Sequence, residues 1–230
     1  MSLVPLYSSW GVMIFVVSVF LWKLLGVWLF FLYIIFSVAL LIKEVGMDSS
    51  TYIHNWGFII FILMELFTFV SLFFVAHYCM SEAVSNDVAY ISEFDEFPLL
   101  GSIILLSSSV LVTGFHFNYG LKNCEWYLFF SIVLGFSFIV VQFFEFNESS
   151  YYFVDCPYYV AAYSTVGLHF LHVLGGVIVL LIVLCVGYSS FNSYYVEMSV
   201  WYWHFVDYVW LLVFAVFYYP VVLWLPGILL

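Results

Sequence analysis

Nearly uncharged apolar runs of about twenty residues recur along this chain, and a water-soluble fold has no place to bury so many of them. Seven can be marked off: residues 6–22, 25–43, 56–79, 98–119, 124–144, 157–187 and 198–224. Each is near the ~20 residues a helix needs to cross a bilayer. The runs are continuous and do not alternate, which argues against a transmembrane β-barrel built from alternating segments of about ten residues. A helix satisfies its own backbone hydrogen bonds in hydrocarbon. The sequence therefore predicts an all-α, polytopic membrane protein with seven transmembrane helices in a single domain over residues 1–230. A two-helix hairpin, joined at Lys23-Leu24, fills 1–43, and a five-helix bundle fills 56–224. The sixth run is too long to stand upright and is expected to tilt. The seventh has a natural early stop at Pro220.

Composition narrows the partners. The chain is 67% hydrophobic and 7% charged, with a formal charge of −11. Its basic residues are Lys23, Lys43 and Lys122, with no arginine, so it lacks the basic footprint that nucleic acid requires. Cys79, Cys124, Cys156 and Cys185 are scattered, without zinc, iron–sulfur or disulfide spacing. The first residues run straight into an apolar segment with no basic leader region. The 28 phenylalanines and absent arginine suit an organelle genome.

Loop lysines set the expected orientation. Lys43 and Lys122 share the N-terminal side and Lys23 falls opposite, which places the N-terminus inside. Two acidic loops, 80–97 and 145–156, then face outside with eight of the fourteen acids. Glu44, Asp48, Glu125 and Glu197 lie inside. Glu65 and Asp207 remain within spans.

Those two acids, with the intramembrane histidines, are the candidate functional set. Glu65 is about 14 Å from the inner end of its span, and His169 and His172 are roughly 18–23 Å from the outer end of theirs. His204 and Asp207 are about 9 and 14 Å from the inner side. In a core of ~30 Å these depths overlap, and ionisable groups in lipid pair with one another. A hydrogen bond from Glu65 to the sixth span is predicted, with His172 preferred over His169. Three readings compete: interhelical contacts that fix register, proton handling by Glu65, and a metal or haem site using His169 and His172. A haem pair would need matched histidines on facing helices, and only the sixth span has two.

Five collinear blocks carry a resemblance. Gly57–Tyr78 (GFIIFILMELFTFVSLFFVAHY), Pro98–Thr113 (PLLGSIILLSSSVLVT), Gln142–Phe146 (QFFEF), Gly167–Val173 (GLHFLHV) and Glu197–Trp210 (EMSVWYWHFVDYVW) stand in the order and spacing of one family. The chain resembles subunit III of cytochrome c oxidase in a divergent, shortened form. The resemblance implies a subunit of a proton-pumping oxygen reductase, complex IV, in the mitochondrial inner membrane, with the N-terminus on the matrix side. It implies no redox centre and no metal in this chain, haem and copper belonging to partner subunits. It implies packing against subunit I and other subunits of the complex. Phospholipids are expected in a V-shaped cleft between helices 1–2 and 3–7. Glu65 falls on the family's buried glutamate and is expected to be proton-linked, supporting proton uptake and durability in turnover. His169, His172, His204, Asp207 and Glu197 form the expected polar network, and Lys43, Trp201, Trp203 and His204 the expected lipid contacts.

The chain departs from the family pattern after helices 2 and 6, where arginines usually stand and this sequence has Lys43-Glu44 and Tyr188-Ser189. A lysine holds phosphate as a point charge and not bidentately. The outward acids, Glu93, Asp95 and Glu96 above all, suggest steering of basic cytochrome c, against the plainer reading of a solvated or covered loop. Subunit III of a quinol oxidase is the alternative within the superfamily, and a proton-coupled transporter the alternative outside it. Transporters often show inverted repeats, and none is visible here.

Overall fold

The computed structural model describes residues 55–85, 96–120, 124–148, 156–187 and 193–218, with scattered positions between 10 and 36. The chain divides into two compact units, Met1–Ile53 and His54–Leu230. In the first, the described positions are helical apart from a turn at Leu21. Gly11 lies against the ring of Tyr33, and Gly26 against the hydroxyl of Ser18. The two pairings are symmetric about residue 22, the relation of antiparallel neighbours. Lys43 lies outside the described residues.

Among its described residues the second unit holds five helices: α1 (Asn55–Ser85), α2 (Phe97–Phe117), α3 (Glu125–Glu148), α4 (Pro157–Val186) and α5 (Ser193–Phe217). All five are long and apolar enough to cross a membrane. They match the third to seventh predicted spans, and the chain is an all-α, polytopic membrane protein. Local chemistry sets their ends. Pro98 and Pro157 sit in the first turns of α2 and α4, where a missing N–H costs nothing. Asn118 closes α2 by returning its side-chain amide to the Gly114 carbonyl at 2.8 Å. Gly187, at φ +87°, carries the chain out of α4 through a backbone region that disfavours side chains.

Three boundaries differ from expectation. Helix α1 runs to Ser85 and takes Glu82 out of the predicted 80–97 loop, and α5 begins at Ser193 and takes in Glu197. Helix α3 runs to Glu148, which moves Glu145 from the predicted outer loop into a helix. An apolar run measures hydrocarbon, whereas a helix continues until its backbone is capped.

Helices α2, α3, α4 and α5 form a closed ring in which each backbone packs on its two neighbours, while side chains of α5 cross the interior to α3; α1 lies outside, against α4 and α5. The ring interior is filled from α5. Trp203 and Trp210, two turns apart, point inward and are almost wholly buried. The indole of Trp203 rests against Gly135 of α3 and Gly176 of α4, where a Cβ would meet it at 2.7 and 2.8 Å. Its Nε1–H donates to Ser108 Oγ of α2 at 3.0 Å, and Trp210 Nε1–H donates to Ser102 Oγ at 3.0 Å. Small residues thus admit large rings, and hydroxyls take up the two indole N–H groups, as packing inside lipid requires.

Candidate functional site

The seam between α1 and α4 brings the predicted acid and histidine together. Glu65 Oε2 lies 3.0 Å from His172 Nε2, with side chains 28% and 12% exposed. The other ring nitrogen, Nδ1, lies 2.8 Å from the Leu168 carbonyl one turn back on α4. The imidazole is therefore held at both nitrogens. Phe69 of α1, fully buried, sets its edge against the ring at 5.2 Å. Tyr202 of α5 lies roughly parallel to it at 6.5 Å, and its hydroxyl donates to the His172 carbonyl at 3.4 Å. Three helices thus fix one acid–imidazole contact.

The other members of the set do not join it. His169 is fully buried inside the ring; its Nε2 lies 3.2 Å from the Val206 carbonyl, and its ring packs against Trp210 and Phe138. His204 turns to α2, with Nδ1 2.8 Å from Ser109 Oγ and Nε2 3.4 Å from Thr113 Oγ1. Asp207 is 3% exposed, and neither carboxyl oxygen has a hydrogen-bond partner among the described residues. Glu197 is exposed near the start of α5. The expected single network is thus four separate places: the seam, the ring interior, the α2 side of α5 and its exposed start. The reason is rotation: each residue turns a helix by about 100°, so Tyr202, Trp203 and His204 face α4, the ring interior and α2 in turn.

Of the expected lipid contacts, Trp201 is 57% exposed and His204 half-buried, but Trp203 is 0% exposed. Trp203 is corrected to a core residue, because Gly135 and Gly176 leave its ring a place inside the bundle. Of the steering acids, Glu96 is exposed just before α2, and Glu93 and Asp95 lie outside the described residues.

Sequence reasoning missed Glu145. Assigned to a solvated loop, it is 2% exposed. Tyr218 donates its hydroxyl to Oε1 at 2.6 Å, and Gln142 its amide to Oε2 at 2.7 Å. The available signal was Gln142, three residues before it on the same helical face. Among the described residues no three His, Cys, Asp or Glu side chains gather to hold a metal ion.

Residues 47–222 match the family described as Cytochrome c oxidase subunit III, a stretch that contains all five helices. The chain is 36% identical over 178 residues to "Cytochrome c oxidase subunit 3" of Anopheles gambiae, covering 71% of this chain and 68% of the relative. It is 35% identical over 178 residues to the Drosophila melanogaster protein of that name and 36% over 177 to that of Artemia franciscana, with the same coverage in each. The chain belongs to the cytochrome c oxidase subunit III family.

Proposed function

We propose that this chain is the subunit III of a cytochrome c oxidase in the mitochondrial inner membrane. It packs against the subunit that bears haem and copper, holds phospholipid, and sustains proton uptake and durability without a redox centre of its own. Seven spans, with residues 6–22 and 25–43 as the first two and the N-terminus on the matrix side, belong to this reading, as does a lipid cleft. The observation that carries it is the family match across all five helices, with Glu65 and His172 in contact at the α1–α4 seam.

In this role the bundle is a scaffold. Its ring is closed by tryptophan–serine bonds and leaves the outer faces of α1 and α3 apolar, as surfaces for lipid and neighbouring subunits. Trp201 and His204 are the lipid contacts that remain after Trp203, with Lys43 as the expected phosphate partner. Glu65 is the proton-linked acid.

Affinity isolation of the tagged chain in mild detergent tests the assignment. The expected result is co-purification of haem-bearing subunits with oxygen consumption driven by reduced cytochrome c. Consumption driven by quinol alone would move the chain to the quinol branch, and purification without an oxidase would end the proposal. In the same preparation, Glu65→Gln is expected to slow proton uptake and shorten activity in turnover while the complex remains assembled.

A further inference from the structure

The two nitrogens of His172 face different kinds of partner, and that difference fixes a proton count. Nδ1 faces the Leu168 carbonyl, which can only accept, so Nδ1 carries a hydrogen. Nε2 faces Glu65 Oε2 at 3.0 Å. If both of these atoms lacked a hydrogen, two lone pairs would oppose each other. If both carried one, two donors would collide. A bond at this distance holds one proton between them.

We propose that Glu65 and His172 form a two-residue site for a single exchangeable proton, with His172 as the positioning partner that makes Glu65 more than an isolated acid. The inference rests on the reading of Glu65 as proton-linked and extends it to a second residue. The proton rests either on the carboxyl, opposite neutral imidazole, or on the ring, opposite carboxylate. Moving between the two breaks one O–H bond and forms one N–H bond, and the pair stays neutral overall. Net neutrality is what allows an acid and a histidine to remain within the membrane span. Adding or removing a proton breaks the contact and with it a polar tie between α1 and α4.

The surroundings favour transfer within the pair. From α5, Tyr202 directs its hydroxyl to the His172 carbonyl and so does not compete for the ring nitrogens. His169, one turn back on α4, faces Val206 of α5. Helix α3 brings Phe138 and Phe143 to α4. Phe69 of α1 closes the ring edge.

Infrared difference spectra of the intact oxidase complex test this, using wild type against Glu65→Gln and against His172→Gln. Gln at 172 keeps an amide nitrogen near the Nε2 position, and His172→Asn, which keeps one near Nδ1, serves if that variant fails to assemble. The expected result is a protonated carboxyl band and an imidazolium band whose occupancies sum to one proton. Any wild-type titration step should be missing at that pH from both variants. Occupancies summing to two or to zero would overturn the proposal. A carboxyl step unchanged in His172→Gln would also overturn it, leaving Glu65 as a lone proton-linked acid. An imidazole step unchanged in Glu65→Gln would overturn it in the same way, whereas carboxyl bands identical in wild type and Glu65→Gln would remove the reading of Glu65 as proton-linked on which it rests.

Discussion

The hydroxyl of Tyr218 lies 2.6 Å from Oε1 of Glu145 and ties the end of α5 to α3 across the bundle. With Gln142 on Oε2, each carboxyl oxygen has its own donor. Bonding at both oxygens offsets the cost of burying an acid this deeply. Tyr218→Phe removes one donor from a buried carboxyl oxygen, at a cost of about 1–3 kcal/mol. Glu145→Gln keeps the shape and loses less. Thermal dissociation of the chain from the purified complex should therefore occur at lowest temperature in Glu145→Ala, next in Tyr218→Phe, and nearest wild type in Glu145→Gln.

The glycines of the bundle divide by what faces them. A Cβ on Gly135 would meet Trp203 at 2.7 Å and Val177 at 2.8 Å, and one on Gly176 would meet Trp203 at 2.8 Å. At Gly167 nothing lies within 4 Å. Overpacking of this kind costs about 1–3 kcal/mol. Gly135→Ala and Gly176→Ala should lower the amount of assembled chain in the membrane. Gly167→Ala should match or exceed wild type, because alanine favours the helix. Quantitative blotting of membrane fractions gives the comparison.

The relative level of Glu65 and His172 along the bundle was readable from the sequence, and rotation about each helix was not. Counting residues from span ends put Glu65 level with the sixth span, and the structure joins it to His172. The same counting put His204 and Asp207 in that zone, yet they sit against α2 and inside the bundle. Nearly every position in these spans is apolar, so no polar face marks which way a helix turns. Glu145 was lost for a related reason: an acid at the end of an apolar run looks like the start of a loop. Tyr218, 73 residues away, gives its second oxygen a partner.

The acid-rich stretch before α2 gives a kinetic test of steering. Eight outward acids were expected, and burial of Glu145 leaves seven of those positions. Neutralising Glu93, Asp95 and Glu96 to glutamine should slow association of cytochrome c with the complex at low ionic strength. The difference should vanish at high salt, where exposed charges are screened beyond about 3 Å at 1 M. Stopped-flow association rates at the two salt levels decide it; equal rates at both would mean these acids are only solvated or covered.

Trp203 and Ser108 should be energetically coupled in a way their separate removal conceals. The serine hydroxyl accepts the indole N–H at 3.0 Å while donating its own hydrogen to the Leu105 carbonyl at 2.7 Å. Trp203→Phe leaves the hydroxyl one donor short, and Ser108→Ala leaves the buried indole N–H without an acceptor. Either change alone carries the cost of an unmatched group as well as the lost bond, whereas the double variant has neither group left to satisfy. The double variant should therefore be more stable than the sum of the singles predicts, by about 0.5–1.5 kcal/mol for an indole–hydroxyl bond. Trp210 and Ser102, two turns along, repeat the arrangement and give an independent cycle. Additive losses in both cycles would mean that the indoles hold the ring by volume alone, with Gly135 and Gly176 as the determinants of fit.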